Sequence, residues 1–230
     1  MNTETLDQPI VADVAVSAPA VVIESATPAV AAVAEGPNPF IALGLDGALV
    51  RAVSDLGYTQ PTEVQAKVIP LAMGSGKADE ASIDLMVSSQ TGSGKTAAFL
   101  LPVLNTLIAQ KAIEAAAEQA EFERQRAQAA ASGEAAPKRA KRKNPMQSRN
   151  FKAAVPGALV LCPTRELAQQ VAQDAIELVK HCKNLRVANV VGGMPYQLQI
   201  AKLQNADLGV ATPGRLLDLQ RSLQSKLDKV

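Results

Sequence analysis

Cysteine and histidine are almost missing from this chain of 230 residues, which holds only Cys162, Cys182 and His181. Such a set makes neither a disulfide framework nor a metal-ligand spacing, so a reducing compartment is the expectation. His181 reads as a helix-end residue rather than a catalytic base. An excess of either charge is lacking too: the net charge is +1 and the isoelectric point about 7.7. Contact with a polyanion would therefore have to come from cations placed locally. No basic region opens the N-terminus, and no apolar run is read as long as the roughly 20 residues of a membrane span. The expectation is a cytoplasmic protein without membrane contact. The first 37 residues contain no Lys or Arg and are built of Ala, Val, Pro and Thr with scattered acids. They are read as a disordered acidic tail. At 24.0 kDa the chain has room for one sizeable α/β domain with extra segments, and two complete domains would be cramped.

What is present centres on Val87-Ser88-Ser89-Gln90-Thr91-Gly92-Ser93-Gly94-Lys95-Thr96, a short apolar run leading into a glycine-rich turn and then a helical pattern. Glycines let consecutive N–H groups turn towards one anion, and the helix that follows adds its partial positive charge. Lys95 supplies a full charge for phosphates, and Thr96 a hydroxyl for Mg²⁺. Ser89 stands where the strict pattern G-x-x-x-x-G-K-[ST] has its first glycine. Gly74-Ser75-Gly76-Lys77 is a decoy, because no apolar strand precedes it.

In chain order, Phe40 to Leu56 have mostly helical spacing up to a stop at Gly57, and Thr62 reads as the N-cap of a helix with Gln65 on its first turn. Residues 74–83 are expected as a polar loop, 84–88 as the first core strand and 95–109 as a helix bent at Pro102. An insertion over about 110–155 combines an Ala/Glu/Gln/Arg helical stretch with Lys138-Arg139-Ala140-Lys141-Arg142-Lys143. Ala158 to Cys162 is a continuous apolar run suited to a strand buried on both faces, Val187 to Val191 and Leu208 to Ala211 read as further strands, and each is followed by a turn and a helix. That alternation predicts an α/β fold whose mostly parallel sheet is flanked by helices. Ligands in such sheets bind outside the carboxyl ends of the strands. Arg165 and Arg215 each stand beside a turn that opens a helix, where free N–H groups and a guanidinium suit the backbone of a nucleic acid rather than its bases.

Together these strings resemble the first RecA-like domain of the DEAD-box ATP-dependent RNA helicases, over about residues 38–230 apart from the insertion. Phe40 and the stretch Gly57-Tyr58 to Gln65 resemble the Q motif, and Ser88 to Thr96 resemble motif I. Pro163-Thr164-Arg165-Glu166-Leu167-Ala168 is similar to motif Ia, Gly192-Gly193 to the GG motif and Thr212-Pro213-Gly214-Arg215 to motif Ib. The resemblance implies a RecA-like P-loop domain that binds ATP with Mg²⁺. Gln65 would read the adenine, with Phe40 and Tyr58 beside it, and Lys95 and Thr96 would serve the phosphates and the metal. Bidentate pairing of a side-chain amide with adenine N6 and N7 fits that role, since guanine presents two acceptors there.

The resemblance further implies RNA contact through Pro163, Thr164, Arg165, Gly192, Gly193, Thr212, Gly214 and Arg215, and RNA-processing proteins as partners. Its Asp-Glu-Ala-Asp motif and second RecA-like domain would follow Val230, so the chain is expected to be a fragment, incomplete at its C-terminus and inactive alone. Two other readings stay open: a metabolic P-loop kinase, which would need neither arginine turn, and a non-catalytic RNA-binding fragment.

Overall fold

The computed structural model describes residues 38–74, 84–132, 153–222, 226–227 and 230. The tail 1–37, most of the 74–83 loop and the basic run Lys138–Lys143 lie outside the described residues.

The helical spacing between Phe40 and Leu56 resolves into two elements rather than one. Pro39–Leu43 is a 3-10 turn ended by Gly44 at φ 79°, and α1 spans Gly47–Asp55. The break follows from local chemistry. Gly44 adopts the left-handed conformation that stops a helix, and the Asp46 carboxylate accepts from the Ala48 N–H to start the next. α2 spans Glu63–Met73 and opens on a reciprocal cap. The Thr62 hydroxyl accepts from the Gln65 N–H, and the Gln65 amide oxygen accepts from the Thr62 N–H.

α3 runs from Lys95 to Ser132 without a break, so the helix expected to end near residue 109 continues into the insertion. Pro102 removes one donor from the ladder but lies buried in the core, and packing there holds the helix together. By length and composition α3 is also apolar enough to cross a bilayer, contrary to the sequence reading. Apart from Ala129, its buried residues, from Ala97 to Leu107, fall in the first four turns, where α3 packs on α2 and α4.

The sheet has three parallel strands in the order β1 (Ala158–Leu161), β3 (Leu208–Ala211), β2 (Val187–Val190). All four residues of central β3 are buried, which explains its wholly apolar sequence. Alternation along the strands sorts the core into two layers. Leu208 and Val210 face the layer that includes α1, α3 and α4 (Arg165–Leu178). Ala188, Val190 and Ala211 face α5 (Tyr196–Leu203) and α6 (Pro213–Arg221). Helices thus cover both faces.

Asp84–Ser88 is not a strand, which corrects the sequence reading. No backbone hydrogen bond from this segment occurs among the described residues, and Met86 is 99% exposed. A run of apolar residues becomes a strand only when a neighbour supplies its ladder partners, and β1 pairs with β3 alone. Leu85 and Val87 lie instead along a groove of about 540 Å³ shared with Val68, Phe99, Val103 and Ala158.

Candidate functional site

The glycine-rich turn Ser89–Gly94 enters α3 with Gly92 at φ 79° and Gly94 at φ 83°, conformations open to glycine at little cost. Four of its six carbonyls are engaged by side chains. The Thr62 hydroxyl donates to Ser93 O at 2.9 Å, and the Gln65 amide nitrogen donates to Gly94 O at 3.2 Å. Lys95 Nζ donates to Ser89 O at 2.6 Å and to Gln90 O. In a trans peptide the N–H points opposite to its C=O, so holding the carbonyls of Ser93 and Gly94 aims the N–H groups of Gly94 and Lys95 away from α2. Among the described residues no acceptor meets the N–H groups from Gly92 to Thr96. Free donors, a helix N-terminus and one lysine make an arrangement suited to a polyphosphate. The residues therefore fit a nucleotide with its metal, Thr96 lying half-buried on the first turn of α3. Ser89, the departure from the strict motif, forms a 2.6 Å hydroxyl contact with Ser93 across the turn.

The expected adenine-side residues are not all brought together. Gln65 is 3% exposed, with its amide oxygen on Thr62 N and its amide nitrogen on Gly94 O. It retains one lone pair and one N–H for another partner. Tyr58 is 39% exposed and free to be covered by a flat ligand. Phe40 is fully buried with Leu49, Val53 and Ile69. That placement makes Phe40 a core residue in this structure, because the 3-10 turn directs it inward.

A second surface follows the C-terminal ends of the three paired strands, where the topology brings Pro163-Thr164-Arg165, Gly192-Gly193 and Thr212-Pro213-Gly214-Arg215 to one edge. Pro163, Thr164, Arg165, Gly193 and Gly214 are exposed and Thr212 is half-buried. The Thr164 side chain caps α4 through the Leu167 N–H. Arg165 lies over the glycine pair, its Nη1 donating to Gly192 O at 3.4 Å. A Cβ on Gly193, at φ 88°, would stand 3.0 Å from that nitrogen. The pair is needed there because the guanidinium lies so close.

Arg215 differs from the sequence expectation of a side chain free for a phosphate. Its Nε donates to Gln199 Oε1 at 2.8 Å and its Nη2 to Met194 O at 3.1 Å, and its guanidinium stacks 4.4 Å from the Tyr196 ring centre. The cause is the buried Gln199 acceptor, which draws the guanidinium back over α5.

The DEAD/DEAH box helicase family model matches residues 62–230, most of the chain. The chain belongs to that family. It is 38% identical over 192 residues to DEAD-box ATP-dependent RNA helicase 52A of Oryza sativa, covering 83% of this chain and 26% of the relative. It is 34% identical to ATP-dependent RNA helicase DeaD of Escherichia coli K12, covering 80% and 22%. A DEAD box protein from the hyperthermophile Methanococcus jannaschii superimposes with a TM-score of 0.55 at 30% identity over 83% of this chain and 39% of that one. Dbp5 of S. cerevisiae bound to RNA and ADP BeF3 does so with a TM-score of 0.55 at 25% identity, over 84% and 37%. The chain thus spans about a quarter of the rice helicase. The fold is that of the RecA-like helicase domains.

Within this DEAD-box domain the remaining ionisable cluster is structural. Asp55, at the end of α1, accepts from Lys180 Nζ at 3.1 Å and contacts His181 Nε2 at 2.7 Å. The hydrogen bonds to His181 and Lys180 hold its carboxyl below the ordinary value. Burial pushes the Cys182 thiol up to about 11, with Asp46 adding to the effect. Gln199 went unnoticed in the sequence, though a signal exists: it is the one polar residue on the inward stripe Tyr196, Gln199, Ile200, Leu203.

Proposed function

We propose that this chain is the nucleotide-binding half of an ATP-dependent RNA helicase: it holds ATP on the Ser89–Thr96 turn and the RNA backbone on the strand-end edge. The observation that carries the reading is the row of unpartnered N–H groups from Gly92 to Thr96, set by Thr62 and Gln65. On binding, Lys95 leaves its own loop carbonyls for the β- and γ-phosphates, and the Thr96 hydroxyl serves Mg²⁺. Gln65 turns its remaining amide capacity to the adenine edge, and Tyr58 covers the base. Arg165, Thr164, Gly192, Gly193, Thr212 and Gly214 meet phosphates and sugars, contacts that fix the RNA without reading its sequence. The exposed backbone of Gly193 and the arginine beside it support that half of the reading. Partner proteins would engage surfaces other than these two edges.

Calorimetric titration of the chain with ATP and Mg²⁺ tests the assignment. Lys95→Ala is expected to abolish measurable affinity, because no other cation touches the turn among the described residues. Retained affinity in the variant would remove the phosphate site from this turn.

A further inference from the structure

The helix α5 carries a glutamine with no solvent exposure at all, Gln199, on the stripe that packs against the sheet. A buried amide needs a partner at each end, and both ends are used: its nitrogen donates to Val191 O and its oxygen accepts from Arg215 Nε. We propose that Gln199 is a positioning residue which, with Arg215, fixes the Gly192–Met194 turn so that its free N–H groups face an RNA phosphate. The inference rests on the RNA-contacting reading above and adds the residues that hold that contact in place.

Three carbonyls of this turn are held. Val191 O receives Gln199, Gly192 O receives Arg165, and Met194 O receives Arg215. As in the phosphate turn, the held carbonyls of Val191 and Gly192 send the N–H groups of Gly192 and Gly193 the other way, while Met194 O precedes Pro195, which has no N–H, so Arg215 anchors the end of the turn rather than aiming a donor. The N–H groups of Gly192, Gly193 and Met194 have no acceptor among the described residues. Gly193 at φ 88° allows neighbouring N–H groups to converge on one side, the geometry of an anion nest. Through hydrogen bonds among the described residues, Gln199 joins the turn's first held carbonyl to the arginine that steadies its far end. A leucine would fill the space and make neither bond. Arg215, stacked on Tyr196 and drawn to Gln199, acts on RNA through Met194 O rather than by direct reach.

The test uses the whole chain, ¹⁵N-labelled, with Gln199→Leu and Arg215→Lys as variants. The second keeps its charge at a half-buried position, so it remains informative should the first fail to fold. In each variant the amide signals of Gly192 and Gly193 are expected to broaden or split, while those of Gly92 and Gly94 stay in place. Kd for a ten-nucleotide uridine RNA should rise about tenfold, the scale of one charge-assisted hydrogen bond, with the Kd for ATP unchanged. Unaltered Gly192 and Gly193 signals in the folded variants would overturn the proposal. Altered signals with unaltered RNA affinity would overturn its link to RNA. Should the wild-type chain itself ignore the RNA, the RNA-contacting reading falls, and the glycine signals still decide whether Gln199 fixes the turn.

Discussion

Gly94 and Gln65 compete for the same few ångströms, and the phosphate turn depends on glycine yielding that space. A Cβ on Gly94 would stand 2.5 Å from the Gln65 amide nitrogen, and the residue sits at φ 83°. Gly94→Ala is therefore expected to carry about 1–2 kcal/mol of backbone strain and to displace Gln65. Urea unfolding would read the first effect and an ATP titration the second; a variant as stable as wild type with full affinity would contradict this packing. Gln65→Ala probes the other partner. Losing the bond to Gly94 O should weaken ATP and GTP together, through the loop. Base reading should weaken ATP by a further 1–3 kcal/mol or so, as expected of a bidentate pair. Equal losses for the two nucleotides would confine Gln65 to its role behind the turn.

At the scale of elements, the legible parts were those whose cause is local. The Thr62 cap and the turns at Gly57 and Gly193 are written in three or four adjacent residues, and the structure has each of them. Asp84–Ser88 shows the opposite case, since its apolar residues name a strand whose formation depends on neighbours far along the chain. Phe40 and Arg215 show a related limit: residue type names the chemistry, while a 3-10 turn and a buried glutamine decide where each side chain points.

The tie between α1 and the end of α4 gives a prediction at this scale. Asp55 has its carboxyl held below the ordinary value of 3.8 by His181 and Lys180. A depressed carboxylate adds stability above its unfolded value, and that contribution disappears as pH falls through the folded one. Asp55→Asn should thus lower the urea midpoint at neutral pH, and the gap to wild type should close only below pH 3.8. A gap that persists undiminished in stronger acid would mean the pair acts through packing instead.

Across the whole molecule the two edges share one construction: side chains behind the backbone take its carbonyls, and the outward N–H groups are left for anions. Such a surface binds, because prearranged donors lose little freedom when a phosphate arrives. Hydrolysis asks for more. Phosphoryl transfer needs metal neutralisation, an oriented water and cations on the developing charge. Among the described residues Lys95 and Thr96 are the members of that set at the turn, and no cluster of three acids, histidines or cysteines stands anywhere to hold an ion. Strand separation also requires that energy from one site reach the other through a change of shape, and the described residues from Asn38 onward form a single compact unit. Residues 1–230 are therefore expected to bind ATP weakly, to release phosphate no faster with RNA than without, and to leave a short RNA duplex intact. The measurement is phosphate release with and without RNA, beside a strand-displacement assay on the same preparation. RNA-stimulated turnover of about 1 per second or more, the lower end for enzymes of ordinary rate, would mean that groups outside the phosphate turn complete the site within this chain.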